Sequence, residues 1–137
     1  MIETIARNAI PSAQRANHVD HLFGIYFPGQ LEPFLYRTAS ELSADYTSGY
    51  WKFYELDNGG FYLAPESETT FRLVSPNGYE GDLSPDAFGI TVCLFAYSHL
   101  SFIATKPAST TYARMYHALR EYTMEHPEAS LILAATD

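Results

Sequence analysis

The sequence predicts an α+β fold, in which a small antiparallel β-meander packs against a central apolar helix and several amphipathic helices. Three observations predict this fold: an aromatic run from Tyr50 to Pro65 that a turn divides, a mostly apolar stretch from Ala87 to Ala104, and helical spacing of apolar residues over positions 30 to 43. The chain has 137 residues, of which 47% are hydrophobic and 15% aromatic. We therefore expect one domain over 1–137 with a sizeable core.

Two helices are predicted ahead of the strands. Residues 1–19 carry little pattern, although a short helix is expected from Ala13 to Phe23, with Gly24 as the usual residue beyond a helix end. Apolar residues then recur at helical spacing, which predicts an amphipathic helix over 30–43 with its charged side chains outside.

Strands follow, separated by turn residues. Asp57-Asn58-Gly59-Gly60 tolerates positive φ and joins two aromatic segments, as in a hairpin, and Pro76-Asn77-Gly78 forms a second turn. The order of the segments predicts an antiparallel meander with strands at about 49–56, 60–64 and 69–75, and an extended piece over 79–83.

The central helix has a sharp predicted start. Ser84 supplies a hydroxyl cap, Pro85 suits the first helical position, and Asp86 lies near the positive end of the helix dipole. Residues 87–103 are apolar nearly all round, which is typical of a helix at the centre of a core. Lys106-Pro107 ends it.

Two helices complete the chain. Ser109 or Thr110 is expected to cap the first, and a last short helix is predicted over 127–135 after the break at His126-Pro127. One face of the longer helix is lined by Tyr112, Met115, Tyr116, Leu119 and Tyr122.

The charge distribution argues against nucleic acid as a partner. Sixteen acids and eight bases give a net charge of −8, and residues 41–105 hold nine acids against two bases. Binding to DNA depends on cationic contacts with phosphate, which such a surface lacks, so no direct nucleic-acid binding is expected.

Cysteine usage and the N-terminus point to the cytoplasm. The single cysteine, Cys93, has no internal disulfide partner and lies in the most apolar stretch, where a small buried hydrophobe is expected. The first seven residues do not combine a basic region with a long apolar run, so no secretion signal or membrane span is predicted.

The histidines do not form a recognisable catalytic or metal motif. His18 and His21 have H-x-x-H spacing, but a zinc site needs three or four protein ligands. His99 has serine neighbours, but adjacent helical residues point in different directions, so a core histidine that donates to an oxygen is expected. For His126 we expect a structural role near a helix C-terminus. No cofactor and no metal are predicted.

Three stretches of the sequence, in order, resemble a known family. Residues 49–65, 78–102 and 116–137 are similar to the ArdB/KlcA-type antirestriction proteins, small cytosolic proteins carried by plasmids and other mobile elements. The resemblance covers about 20–137. It implies inhibition of type I restriction endonucleases, which protects incoming unmethylated DNA, with the restriction complex as the partner and no catalytic residue.

Acids beside aromatics are the candidate contact residues, because acids select a basic partner and aromatic rings anchor interfaces. Eight net charges fall short of the charge density of duplex DNA, so we expect steric or allosteric interference with the restriction complex rather than DNA mimicry. The candidate contact residues are Glu55, Asp57, Glu80, Asp82 and Asp137, with Tyr54, Tyr62 and Trp51 as aromatic candidates, of which Trp51 is expected in the core.

Two alternatives stay open. One is a small hydrolase or metal-dependent nuclease that uses the acidic hairpin residues or His99, although no nucleophile with a base and an orienting group is recognisable. The other is a chaperone-like or regulatory partner of another host protein.

Overall fold

The computed structural model describes residues 4–137, in which five strands and five α-helices are connected by short turns. In chain order these elements are β1 (Arg7–Ala9), α1 (Arg15–Phe23), α2 (Glu32–Leu42), β2 (Trp51–Leu56), β3 (Phe61–Pro65), β4 (Phe71–Val74), β5 (Glu80–Leu83), α3 (Pro85–Ile103), α4 (Ala108–Thr123) and α5 (Ala129–Thr136). The predicted α+β class is confirmed. The first three residues of the weakly patterned segment 1–19 lie outside the described residues, and so does part of the N-terminal stretch used to exclude a secretion signal.

The predicted strands all form and pair antiparallel, but they are divided between two sheets. The order in the first sheet is β1-β2-β3, and β4 pairs with β5 in the second. β1 was not predicted, because its three residues are all exposed and show no apolar alternation. Its register places Arg7 opposite Leu56 and Ala9 opposite Tyr54.

The meander stops at β3 because α3 covers the free edge of that strand. The Leu63 N–H donates to Cys93 Sγ at 3.4 Å, and the Tyr97 hydroxyl donates to the Phe61 carbonyl at 2.7 Å. Pro65 has no N–H to satisfy. The edge groups to which β4 would bond are therefore already paired with helix side chains, and β4 forms its own hairpin with β5.

Close contact between α3 and β3 depends on Gly89. A Cβ atom at this position would lie 2.4 Å from the Leu63 carbonyl oxygen and 2.5 Å from Ala64 Cα. These are backbone atoms of β3, which cannot move aside as a flexible side chain would. The absence of a side chain at Gly89 thus sets the distance between helix and sheet.

The central helix forms as predicted. The Ala87 N–H donates to Ser84 Oγ at 3.1 Å, which caps α3, and Pro85 occupies its first turn. By length and apolarity α3 resembles a membrane span, but 61% of its most apolar 18-residue stretch is buried inside the protein. It is the core helix, and it packs against α2, α4, α5 and β3.

The other helices differ from the predictions mainly at their starts. A 3-10 turn over Ser12–Gln14 precedes α1, and a π turn over Phe27–Leu31 precedes α2. Gly24 has φ +58°, as its place beyond the end of α1 requires. The predicted cap of α4 is wrong: Pro107 is the N-cap, and no side chain caps the helix. Pro107 has no backbone N–H that needs a partner. The helix begins at Ala108, before the serine and threonine that were predicted to cap it.

Candidate functional site

The five candidate acids are all exposed. The side chains of Glu55, Glu80, Asp82 and Asp137 are 48%, 57%, 62% and 57% accessible, and Asp57 is also at the surface. Exposure leaves each carboxylate hydrated and able to face a partner, which a contact acid requires.

Glu80 and Asp82 share the outer face of the β4–β5 hairpin, and we call these two residues the hairpin acids. Arg72 lies between them, with Nη2 3.4 Å from Glu80 Oε2 and Nη1 3.8 Å from Asp82 Oδ1. One cation thus faces two carboxylates, and the face keeps a net negative charge. All three side chains are more than half exposed, so water screens the ion pairs.

Asp137 lies near the same hairpin. Its carboxylate is 3.5 Å from Arg120 Nη2, and its backbone carbonyl accepts from the Asn77 side-chain amide at 3.3 Å. Asn77 belongs to the β4–β5 turn, so Asp137 and the hairpin acids belong to one region of the surface.

The remaining two candidate acids lie at the end of β2, in the other sheet. Asp57 accepts hydrogen bonds from the Ala6 backbone N–H at 3.2 Å and from the Asn8 amide at 3.1 Å. These bonds hold β1 in place, so Asp57 has a structural task. Glu55 Oε2 lies 3.6 Å from His18 Nε2. The structure therefore distributes the predicted acids over two regions.

The three aromatic candidates lie in the core, as expected for Trp51, and the prediction that the rings of Tyr54 and Tyr62 anchor a partner is corrected on this point. Trp51, Tyr54 and Tyr62 are 3%, 9% and 0% accessible. Trp51 Nε1 donates to the Tyr46 hydroxyl at 3.1 Å, and the rings of Tyr54 and Tyr62 stack with centroids 5.1 Å apart. Trp51 and Tyr54 lie on opposite faces of β2 and both are buried, so both faces of the sheet are covered at these positions.

The prediction of a core position for His99 is wrong. The residue is exposed, and its ring stacks on Phe34 with centroids 5.0 Å apart and 17° between the planes. The Ser101 hydroxyl donates to the Ser98 carbonyl, so these serines satisfy the backbone of their own helix. Within residues 4–137, no group of three His, Cys, Asp or Glu side chains has the arrangement of a metal site.

A polar cluster around Asp86, which the sequence analysis did not identify, joins four distant parts of the chain. Asp86 Oδ1 accepts from Arg7 Nη1 at 2.5 Å and from the Tyr62 hydroxyl at 2.8 Å. Asp86 Oδ2 accepts from His126 Nε2 at 2.8 Å. The Arg7 guanidinium also lies 4.4 Å above the ring of Tyr54. The cluster therefore fastens β1, β3 and the α4–α5 turn to the start of α3.

The hydrogen bonds of His126 define its tautomer. The Glu128 backbone N–H donates to His126 Nδ1 at 3.0 Å, so that nitrogen carries a lone pair and the proton is on Nε2. Nε2 donates this proton to Asp86. Both ring nitrogens are occupied by the fold, which leaves the imidazole no free lone pair with which to act as a base.

The electrostatics of the cluster keep Asp86 ionised. Burial alone would raise the pKa of this carboxyl, but the hydrogen bonds from His126 and Tyr62 and the charge of Arg7 outweigh burial and lower the pKa below its ordinary value. Burial and the neighbouring Asp86 charge raise the pKa of Tyr62, which stays a neutral donor. The cluster is thus a carboxylate held by three donors.

Fold and surface together define an acidic α+β protein with exposed carboxylates on its strands. The chain belongs to the antirestriction protein family, whose family model matches residues 44–137. It is 35% identical to the antirestriction protein KlcA of Escherichia coli, over 98% of this chain and 96% of KlcA. It is 38% identical to the uncharacterized protein YafX of Escherichia coli K12, over 93% of this chain and 85% of YafX.

A solved structure from work on KlcA and ArdB superposes with a TM-score of 0.90 and 33% identity, over 100% of this chain and 99% of the other. That work describes antirestriction activity against type I DNA restriction systems in vivo but not in vitro. The fold of the described residues is therefore shared, including the part before residue 44 that the family model does not match. The resemblance to the ArdB/KlcA-type proteins is confirmed.

Proposed function

We propose that this protein acts in the cytoplasm to relieve restriction by type I restriction endonucleases, and so protects incoming DNA of mobile elements. It does so by binding a protein of the restriction pathway, without catalysis of its own. The observation that carries the proposal is the match of the entire chain to a structure described with antirestriction activity against type I systems.

The charge of the surface supports protein-protein interference over contact with DNA. Three of the eight basic residues, Arg7, Arg72 and Arg120, are ion-paired with acids of the same chain, which reduces the number of cations available to phosphate. The acids are too few and too dispersed between two regions to imitate a duplex, which carries a charge about every 1.7 Å of its axis. Acids of this kind speed the encounter with a basic surface and select it.

Action through a cellular component also agrees with the behaviour described for KlcA and ArdB, which act in vivo but not in vitro. A protein that occupied the DNA-binding track of the nuclease would inhibit the purified enzyme directly. We therefore expect this chain to relieve restriction in cells and to leave purified type I endonuclease active when added alone.

The test compares plasmid transformation by unmodified DNA in cells with a type I system, with and without this chain, and in cells that lack the system. Expression should raise transformation only where the system is present. Equal restriction with and without the protein contradicts the proposal. Measurement of DNA modification in the same cells shows whether relief comes from faster methylation instead.

A further inference from the structure

A surface groove of about 590 Å³ lies between α2, α3 and the end of β4. This volume lies within the range of about 300–1,000 Å³ that ligand-binding clefts occupy. Its walls are formed by Phe34 and Leu42 of α2, Phe95 and His99 of α3, and Val74 at the end of β4. We call it the α2–α3 groove.

The walls of the α2–α3 groove leave apolar surface uncovered. Val74 is 50% exposed, although it lies in a strand. Phe34 and Phe95 are only partly buried where they pack on the core. In protein interfaces, pockets lined by partly exposed aromatic rings commonly bind a large side chain of the partner.

One end of the groove carries a cation, Arg37. The Arg37 guanidinium lies 5.2 Å above the Phe34 ring, and His99 stacks on the same ring. No carboxylate within residues 4–137 forms an ion pair with Arg37, whereas Arg7 and Arg120 each pair with one acid and Arg72 with two. Arg37 is thus a cation held in position by an aromatic ring and available to an external anion.

Two acids lie near the groove. Glu41 follows Arg37 by one helical turn and lines the wall. Glu80 lies opposite Val74 in the register of β4 and β5, where Arg72 compensates its charge. A bound carboxylate is therefore expected at the end formed by Arg37, His99 and Phe34, away from Glu41.

We infer that the α2–α3 groove docks a segment of a partner protein that carries an apolar side chain next to an aspartate or glutamate. The apolar side chain enters between Phe34, Phe95 and Val74, and the carboxylate pairs with Arg37. The inference does not rest on the proposed function, because it concerns a surface other than the hairpin acids and is tested on the purified chain.

The experiment selects binders from a displayed library of random short peptides on the immobilised full-length protein. Enriched peptides should share an apolar residue beside Asp or Glu. Their affinity should fall about tenfold or more for Arg37→Glu, because the substitution replaces attraction with repulsion in a partly desolvated site. Affinity for Glu41→Gln should be unchanged or higher, since Glu41 opposes a bound carboxylate.

Arg114→Glu is the matched control, because Arg114 is an exposed arginine of α4 that does not line the groove. It should leave peptide affinity unchanged. Melting temperatures of all variants verify folding, and Arg37→Gln serves as the milder variant should Arg37→Glu lower the melting temperature. The inference is overturned by peptides without an acid, by equal binding to Arg37→Glu and the native chain, or by no enrichment at all.

Discussion

Asp86 is the residue on which hydrogen bonds from three separate parts of the chain meet. Its partners Arg7, Tyr62 and His126 are 79, 24 and 40 positions away, and all three donate to its carboxylate. A carboxylate satisfies three donors, whereas an amide offers one oxygen and adds two donors. The ionised form of this side chain is therefore part of what holds the fold together.

We predict that Asp86→Asn lowers the free energy of unfolding by about 2–3 kcal/mol, because the new amide N–H groups face donors that lose their acceptor. Urea unfolding at pH 7 measures the loss. Asp20→Asn is the control, since Asp20 is exposed on α1. A change in stability no larger than that of the control would contradict the role of the cluster.

The same carboxylate predicts a dependence of stability on pH. The pKa of Asp86 is lower in the folded state than the value of about 3.9 in an unfolded chain, so the unfolded state binds the proton first. The stabilisation is complete above about pH 5 and is lost as the pH falls through the folded-state pKa. The difference between native chain and Asp86→Asn should shrink from pH 5 to pH 3 in urea titrations, and a constant difference would exclude this ionisation.

Cys93 provides a probe of the core. The thiol is fully buried against Leu63, and burial raises its pKa to about 12, so it carries almost no thiolate at neutral pH. We predict that a thiol reagent leaves the folded protein unlabelled at pH 7 and labels one thiol per chain in urea. Rapid labelling without denaturant would show that α3 separates from β3 in the native state.

At the scale of elements, Gly89 determines how closely α3 approaches the sheet. We predict that Gly89→Ala destabilises the protein by about 3 kcal/mol or more, because the added methyl overlaps the backbone of β3. Gly29→Ala is the control, because its methyl would meet nothing within 4 Å. Thermal unfolding measures both, and equal melting temperatures would mean that helix and strand can move apart at little cost.

Helices and strands with local sequence signals were predictable, and those defined by distant contacts were not. The capped start of α3, the end of α1 at Gly24 and the aromatic hairpin depend on local signals, and each was predicted close to its observed bounds. β1 has no local signal, because its pairing with β2 and the bonds to Asp57 define it and its own side chains are exposed. The division into two sheets was equally hidden, since it follows from the contact of α3 with the edge of β3.

For the whole molecule, the candidate surface was predictable only in part. Exposure of Glu80 and Asp82 agrees with their strand positions, while burial of Tyr54 and Tyr62 depends on Arg7 and on side chains of α4 that pack over them. The position of His99 depends on how far α2 leaves α3 uncovered. Such facts are set by packing between distant elements, which no short stretch of sequence encodes.

The charge of the whole molecule gives a prediction for the hairpin acids. The double variant Glu80→Gln, Asp82→Asn should reduce restriction relief in cells, because it removes the negative face around Arg72 that we propose meets a basic partner. Its stability should change by less than about 1 kcal/mol, since exposed ion pairs contribute little. Transformation frequency and thermal unfolding measure the two effects.

The double variant Asp20→Asn, Glu121→Gln is the matched control, because it changes net charge equally at exposed positions on α1 and α4. Relief should persist in the control. An equal loss in both variants would assign the effect to net charge alone, and full relief in both would remove the hairpin acids from the contact surface.

The covered edge of β3 also limits how this molecule can associate. The Leu63 amide and the Phe61 carbonyl on this edge are already bonded to the Cys93 thiol and the Tyr97 phenol. A neighbouring chain therefore cannot add a strand on this side of the sheet. The opposite border is a three-residue strand, too short to template a fibril or a swapped dimer. Association through the backbone of this sheet is therefore disfavoured at both of its edges.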